Sequence, residues 1–194
     1  MPFPSYEPHD SQETQGRDAL SIRIPKTMLE WQQQAASRVE KYALLNNLSL
    51  NPKLRFGWGY DGIVLGTTIG SAIKGFGFER LFQRERDVYL RLAESDVDEI
   101  MGFNVPRLLA YDDALLCIEM EVVSPPFVLD FAGAYLDRRP DYPDDVMEEW
   151  QAEKLEQFGE ERWKIVQNIM AHFARMGIYL ADVKPGNITF AEET

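Results

Sequence analysis

Apolar residues fall along the chain in four kinds of run. Leu29, Ala36, Val39 and Leu44-Leu45 recur at loosely helical intervals, which predicts a helix from Lys26 to about Asn46. Thr27 with Glu30 three residues on is a capping-box pattern at its start. Before it, Ser21-Ile-Arg-Ile24 alternates as a short strand does, and residues 1–20 are polar and Pro-spaced, so weak order is expected there. From Leu54 to Phe76 apolar residues are punctuated by glycines at 57, 59, 62, 66, 70 and 75, the mark of antiparallel strands joined by hairpins. Residues 77–93 return to helical spacing, with Phe78, Leu81, Phe82, Val88, Tyr89 and Leu92 on one stripe. Two more strands are predicted between Asn104 and Val123, turning at Asp112-Asp113 and broken by Ser124-Pro-Pro126. A short apolar segment and a charged turn fill residues 127–142. A helix capped by Asp144 or Asp145 then carries Val146, Trp150 and Leu155. A last helix spans Glu160 to Met176, with Trp163, Val166, Ile169, Met170 and Phe173 inward and Gly177 closing it.

Composition narrows the function classes. The 194 residues are 45% hydrophobic, enough for a packed core in one largish domain or two small lobes. A net charge of −12 argues against nucleic acid, whose phosphates need a basic surface. No apolar stretch approaches the ~20 residues of a membrane span. The opening Met-Pro-Phe-Pro leads into polar residues rather than a basic and then apolar segment, so no signal peptide is expected and the expected location is cytoplasmic. The single cysteine, Cys117, sits in an apolar run and reads as a buried thiol. His9 and His172 form no zinc-binding pattern, and the acidic stretch 137–161 reads as a solvated helix face.

Three stretches carry candidate chemistry. Gly57-Trp-Gly59-Tyr-Asp-Gly62-Ile-Val64 is a G-x-G-x-x-G-x-V run, and glycine permits close backbone approach to phosphates. The residues after it are β-like, whereas a dinucleotide fingerprint opens a helix, so the run reads as a hairpin covering a nucleotide. Lys74 closes the strand Ala72-Ile73-Lys74, and Glu85 falls inside the apolar stripe of the 77–93 helix. A carboxylate there needs a partner, and Lys74 is the obvious one; Glu79 is the fallback if the stripe is offset. The third stretch, Gly177-Ile-Tyr-Leu-Ala-Asp182-Val-Lys184-Pro-Gly-Asn187-Ile-Thr-Phe190, offers a carboxylate, an amine and a carboxamide in one loop. That set suits a hydroxyl, a phosphate and a metal handled together: Asp182 accepts the proton, Lys184 steadies the phosphoryl group, Asn187 binds the metal.

Taken in this order, residues 54–190 resemble the eukaryotic-type protein kinase superfamily. The glycine run is similar to its glycine-rich loop, Ala72-Ile-Lys74 to its V-A-I-K strand, Glu85 to its helix-C glutamate and the 177–188 stretch to its catalytic loop. Ile118-Glu-Met-Glu-Val-Val123 resembles the strand into the hinge, which implies Met120 as gatekeeper and the backbone of Glu121 and Val123 as adenine partners. Val64 and Ala72 would line the same pocket. Two departures stand out. The family's His-Arg before the catalytic aspartate is Leu180-Ala181, which implies no regulation through a phosphorylated activation segment. The family's returning strand and D-F-G aspartate, a metal ligand, are expected after the catalytic loop, and the sequence offers only Glu192 and Glu193 there. Strand rise carries those two well away from the site.

The resemblance implies an α+β, protein-kinase-like fold: an N-terminal extension with one helix over 1–50, an antiparallel-sheet N-lobe with one main helix over 51–124, and an abbreviated helical C-lobe over 125–194. It implies an ATP-binding protein using Mg²⁺. With the D-F-G ligand and activation segment lacking, the expectation is a pseudokinase or a weakly active enzyme. The alternative is a minimal ATP-dependent phosphotransferase acting on Ser/Thr proteins or a small molecule, completed by a partner chain. A short C-lobe leaves apolar surface for a protein partner or a second copy to cover.

Overall fold

The computed structural model describes residues 30–58 and 62–191. The expected weak order of 1–20, the strand at Ser21–Ile24, the Thr27 cap, Gly59 of the glycine run, Glu192 and Glu193 lie outside the described residues. The fold is α+β. Helix α1 is Glu30–Leu45, followed by strands β1 (Leu50–Trp58), β2 (Ile63–Thr67) and β3 (Ser71–Gly75), and by helix α2 (Glu79–Glu94). Two short strands, β4 (Glu99–Ile100) and β5 (Phe103–Asn104), precede β6 (Leu108–Asp112) and β7 (Cys117–Glu121). Then come β8 (Phe127–Val128), β9 (Tyr135–Leu136), α3 (Asp144–Phe158), α4 (Glu160–Arg175), β10 (Ile178–Tyr179) and β11 (Ile188–Thr189).

The main sheet is five-stranded and antiparallel throughout, in the order β1-β2-β3-β7-β6. Its two faces follow from strand alternation. Ile63, Leu65, Ile73 and Cys117 turn to one face and are buried with Ala35, Ala36, Val39 and Tyr42 of α1. Gly75 is what lets that helix come so close: a Cβ on it would lie 2.5 Å from Val39 Cγ2 and 2.7 Å from the Ala35 carbonyl oxygen. On this face the buried Glu119 carboxylate accepts from the Tyr42 hydroxyl (3.1 Å) and the Ser71 hydroxyl (2.6 Å), and Thr67 Oγ1 lies 2.8 Å from Ser71 Oγ. Those hydroxyls answer a charge that would otherwise be costly to bury. The opposite face carries Ala72, Ile118 and Met120, which join the larger core with α2 residues Phe82, Val88, Tyr89 and Leu92.

That larger core continues into the C-terminal part without a break. Tyr89 of α2 meets Phe131 edge-on at 5.3 Å between ring centroids, and Phe131 packs on Phe173 of α4 at 5.7 Å. Helix α4 buries Trp163, Val166, Ile169 and Phe173 at the predicted spacing, and Gly177 follows its last residues at φ +75°, where glycine is favoured. Helix α3 is rotated from its predicted stripe. Val146 and Leu155 are exposed at 46% and 44%, while Lys154 and Phe158 are buried. The true stripe is Trp150, Lys154, Phe158, spaced by four; the Lys154 stem packs inward while its amine reaches Glu153 (3.0 Å) and Gln157 (3.2 Å).

Two small sheets shape the C-terminal loops. Strand β9 pairs antiparallel with β10. Strand β8 pairs antiparallel with β11 and parallel with β5, giving a four-stranded sheet ordered β11-β8-β5-β4. This sheet crosses the expected lobe boundary at Ser124-Pro-Pro126, so strands from both sides of it share one ladder. Among the described residues no helix is long and apolar enough to cross a membrane.

Candidate functional site

Lys74 and Glu85 meet as the burial argument requires. Lys74 Nζ lies 2.7 Å from Glu85 Oε2, with Lys74 5% and Glu85 1% exposed. Glu79 sits at the exposed start of α2 and receives Gln83 at 2.9 Å, so it has no part in this pair. Strand register places the surroundings. Val64 is opposite Lys74 on β2, Ile118 is opposite it on β7, and Met120 is opposite Ala72. Directly paired residues point to the same side of a sheet, so Val64, Ala72, Lys74 and Met120 line one wall. The Tyr89 hydroxyl donates to Met120 Sδ at 3.2 Å and fixes that side chain. Farther along β7 the Glu121 amide donates to the Arg107 carbonyl at 3.0 Å, and Val123 lies just beyond the strand, partly buried.

The described flanks of the glycine run pair antiparallel across β1 and β2, with Gly57 opposite Val64 and Trp58 opposite Ile63. Gly62 is glycine because the neighbouring strand is close: a Cβ there would lie 2.5 Å from the Gly75 carbonyl oxygen and 3.6 Å from Lys74 Cε. Gly57 has nothing within 4 Å of such a Cβ, so packing does not explain it.

The 182–187 loop closes on itself. Asn187, 7% exposed, donates through Nδ2 to the Asp182 carbonyl (2.9 Å) and to Asp182 Oδ2 (3.0 Å). Lys184 Nζ lies 2.6 Å from the same Oδ2. Asn187 and Ile188 amides both bond the Lys184 carbonyl, which tightens the turn before β11.

One residue that sequence patterning missed ties the two groups together. Asp130 Oδ1 lies 2.9 Å from Lys74 Nζ. It follows β8, whose antiparallel pairing with β11 sets it beside the 182–187 loop, and the Leu129 amide donates to the Asn187 carbonyl at 2.8 Å. Asp130, Asp182 and Asn187 border one recess of about 10 Å³. Gly133 runs close to the 182–187 loop: a Cβ there would sit 3.2 Å from Asp182 Cβ. Asp130 holds φ +65°, as five other non-glycine described residues hold positive φ, and aspartate visits this region more readily than most residues. The signal in the sequence is an aspartate ending an apolar strand, Phe127-Val-Leu-Asp130-Phe131, but it stands upstream of the 182–187 loop, whereas the resemblance places such an aspartate downstream.

Electrostatics bind the cluster. Burial works against the Lys74 ammonium, but Glu85 and Asp130 outweigh it and hold its pKa above the ordinary lysine value. Burial pushes Asp130 upward, and the charge and hydrogen bond of Lys74, helped by Lys184, bring it below the usual carboxylate range. Both groups are therefore ionised at neutral pH. Among the described residues no three His, Cys, Asp or Glu side chains gather into a metal cluster. Asp130, Asp182 and Asn187 are the oxygen-bearing side chains at this recess through which Mg²⁺, an ion that keeps several waters and takes its remaining oxygens from phosphates, would be held.

No protein-family model, no curated protein and no solved structure matches this chain.

Proposed function

We propose that the chain is a kinase-like, ATP-binding phosphotransferase in which Asp130 supplies the metal ligand that the resemblance expects after the catalytic loop. The observation that carries the reading is Asp130, held by Lys74 at 2.9 Å and sharing a recess with Asp182 and Asn187. The Asp130-Phe131-Ala132-Gly133 segment leaves a strand that returns antiparallel to β11. That is the spatial relation expected between a catalytic loop and a D-F-G segment, with the two pieces exchanged in chain order. The kinase-like fold is proposed on the same grounds, together with the Lys74–Glu85 pair under the glycine hairpin.

The roles follow from position. Val64, Ala72 and Met120 form the apolar wall for adenine, with the Glu121 and Val123 backbone at its edge. Lys74, oriented by Glu85, holds nucleotide phosphates, and the Gly57 hairpin covers them. Asp130 and Asn187 would hold Mg²⁺, which neutralises charge on the β- and γ-phosphates. Asp182 takes the proton of the acceptor hydroxyl, and the acceptor oxygen bonds the γ-phosphorus as the bond to the β,γ-bridging oxygen breaks and ADP leaves. Lys184 stabilises the charge on the phosphoryl oxygens in transfer.

A second reading, nucleotide binding without turnover, has one observation in its favour: Asp182 Oδ2 is engaged by both Lys184 and Asn187. Turnover of Mg·ATP separates the two. The enzyme reading predicts phosphate release or transfer that falls about 10²–10⁴-fold in Asp182→Asn. Turnover equal in the variant and the parent protein would sink the enzyme, and binding with no turnover in either would leave the second reading.

A further inference from the structure

Helix α1 has no part in the nucleotide reading, yet it grips the three residues, 76–78, that join the strand of Lys74 to the helix of Glu85. Arg38 Nη1 donates to the Phe76 carbonyl and, at 3.3 Å, to the Gly77 carbonyl. Trp31 stands seven residues earlier, on the same side of α1. A Cβ on Gly77 would lie 2.8 Å from Trp31 Cε3, and the Trp31 ring meets Phe78 at 5.9 Å between centroids. The close approach of Ala35 and Val39 to Gly75 continues the same line of contact. Helix α2 needs this support, because it starts at Phe78 without a side-chain cap, the device that commonly fixes a first turn. Phe76 carries the grip inward. Its amide donates to the Leu116 carbonyl at 3.0 Å while its carbonyl accepts from Arg38. Its buried ring lies 5.2 Å from Lys74 Nζ and meets Phe82 of α2 edge-on at 5.8 Å.

We propose that Arg38 is a positioning residue for the Lys74–Glu85 pair. By holding the Phe76 and Gly77 carbonyls it fixes the Phe76 ring against Lys74 and sets the start of α2, so that Glu85 arrives opposite the ammonium. Position matters here because a buried pair repays its loss of water only when its geometry is good. Packing alone is already supplied by Ala35, Ala36, Val39 and Tyr42, which bury α1 on the sheet. The half-buried Arg38 guanidinium adds a directed bond at the one connector that both site residues share. The consequence for phosphate binding rests on the ATP reading; the consequence for the pair itself does not.

The test is proton exchange at the Lys74 ammonium, followed in the full chain by heteronuclear NMR of the lysine side chains and assigned by the signal lost in Lys74→Met. An ammonium held by two carboxylates and 5% exposed exchanges slowly. Arg38→Met speeds that exchange about tenfold and weakens Mg·ATP binding about tenfold. Gly77→Ala, whose Cβ presses on Trp31, moves both in the same direction. Tyr42→Phe is the control: it takes the α1 hydroxyl from buried Glu119, beside Ser71 at the opposite end of β3 from the connector. Urea midpoints show its loss of stability, while exchange at Lys74 and Mg·ATP affinity stay at the parent values. Exchange unchanged in both Arg38→Met and Gly77→Ala overturns the proposal. So does a Tyr42→Phe protein that exchanges as fast as Arg38→Met, because α1 then only stabilises the fold. A parent Lys74 ammonium that exchanges like a surface lysine overturns it too. Faster exchange in the connector variants of a parent that does not bind Mg·ATP upholds the positioning and refutes the nucleotide reading, so the two failures are told apart.

Discussion

Removing the Glu85 carboxylate is the sharpest perturbation of the buried site. In Glu85→Ala, Lys74 keeps one partner, Asp130 at 2.9 Å, and loses the other at 2.7 Å from a position only 1% exposed. Breaking a buried ion pair costs about 3–5 kcal/mol, because the remaining charge stays out of water. Asp130 is retained and its side chain is 26% exposed, so the lower end, about 3 kcal/mol, is expected. For a chain of this size that lowers Tm by roughly 6–12 °C. Urea denaturation, read as a change in midpoint at constant slope, measures it. The double variant Lys74→Met/Glu85→Leu removes both charges and should recover most of the loss, as apolar replacements of buried pairs commonly do. It should also lose Mg·ATP binding. A protein as stable as the parent yet unable to bind nucleotide would mean the pair is held for function rather than stability. A cost under about 1 kcal/mol for Glu85→Ala, or a double variant worse than the sum of its singles, would refute this reasoning.

Gly75→Ala should destabilise by about 1–3 kcal/mol, since its Cβ would lie 2.5 Å from Val39 Cγ2 and 2.7 Å from a backbone oxygen of α1; thermal melts showing no change would place α1 elsewhere. Acid should weaken the fold through Asp130: its folded pKa lies below its unfolded value of about 3.9, so the stability it adds is present above that pH and is lost as pH falls through the folded pKa. Urea midpoints of the parent and Asp130→Asn should therefore converge below about pH 4, and a gap that stays constant down to pH 2 would contradict the depressed pKa.

Much of the Lys74–Glu85 half of the cluster was legible because its signals are local. A charged residue inside an apolar stripe at helical spacing predicted the burial of Glu85, and a lysine ending an apolar strand predicted its partner. The strands flanking the glycine run were legible, although Gly62 answers the nearby Gly75 carbonyl rather than a ligand. Asp130 was not legible, because its place depends on β8 pairing with β11, whose residues lie some sixty positions apart. No local pattern reports such a pairing, and a two-residue strand gives almost no periodicity to read. The α3 stripe failed for a different reason: Lys154 packs its stem inward, which a polar–apolar pattern scores as exposed.

The central claim is that Lys74, Asp130, Asp182 and Asn187 serve one Mg²⁺–nucleotide site, and the thermal shift with ATP, with and without Mg²⁺, in the parent and in Asp130→Asn tests it most directly. At ATP about 100-fold above its dissociation constant, binding adds about 2.7 kcal/mol, or roughly 5–10 °C in Tm. The account predicts that the parent shows this shift mainly with Mg²⁺ present, and that Asp130→Asn loses the Mg²⁺-dependent part. A parent protein unmoved by Mg·ATP, or a full Mg²⁺-dependent shift in Asp130→Asn, would contradict it.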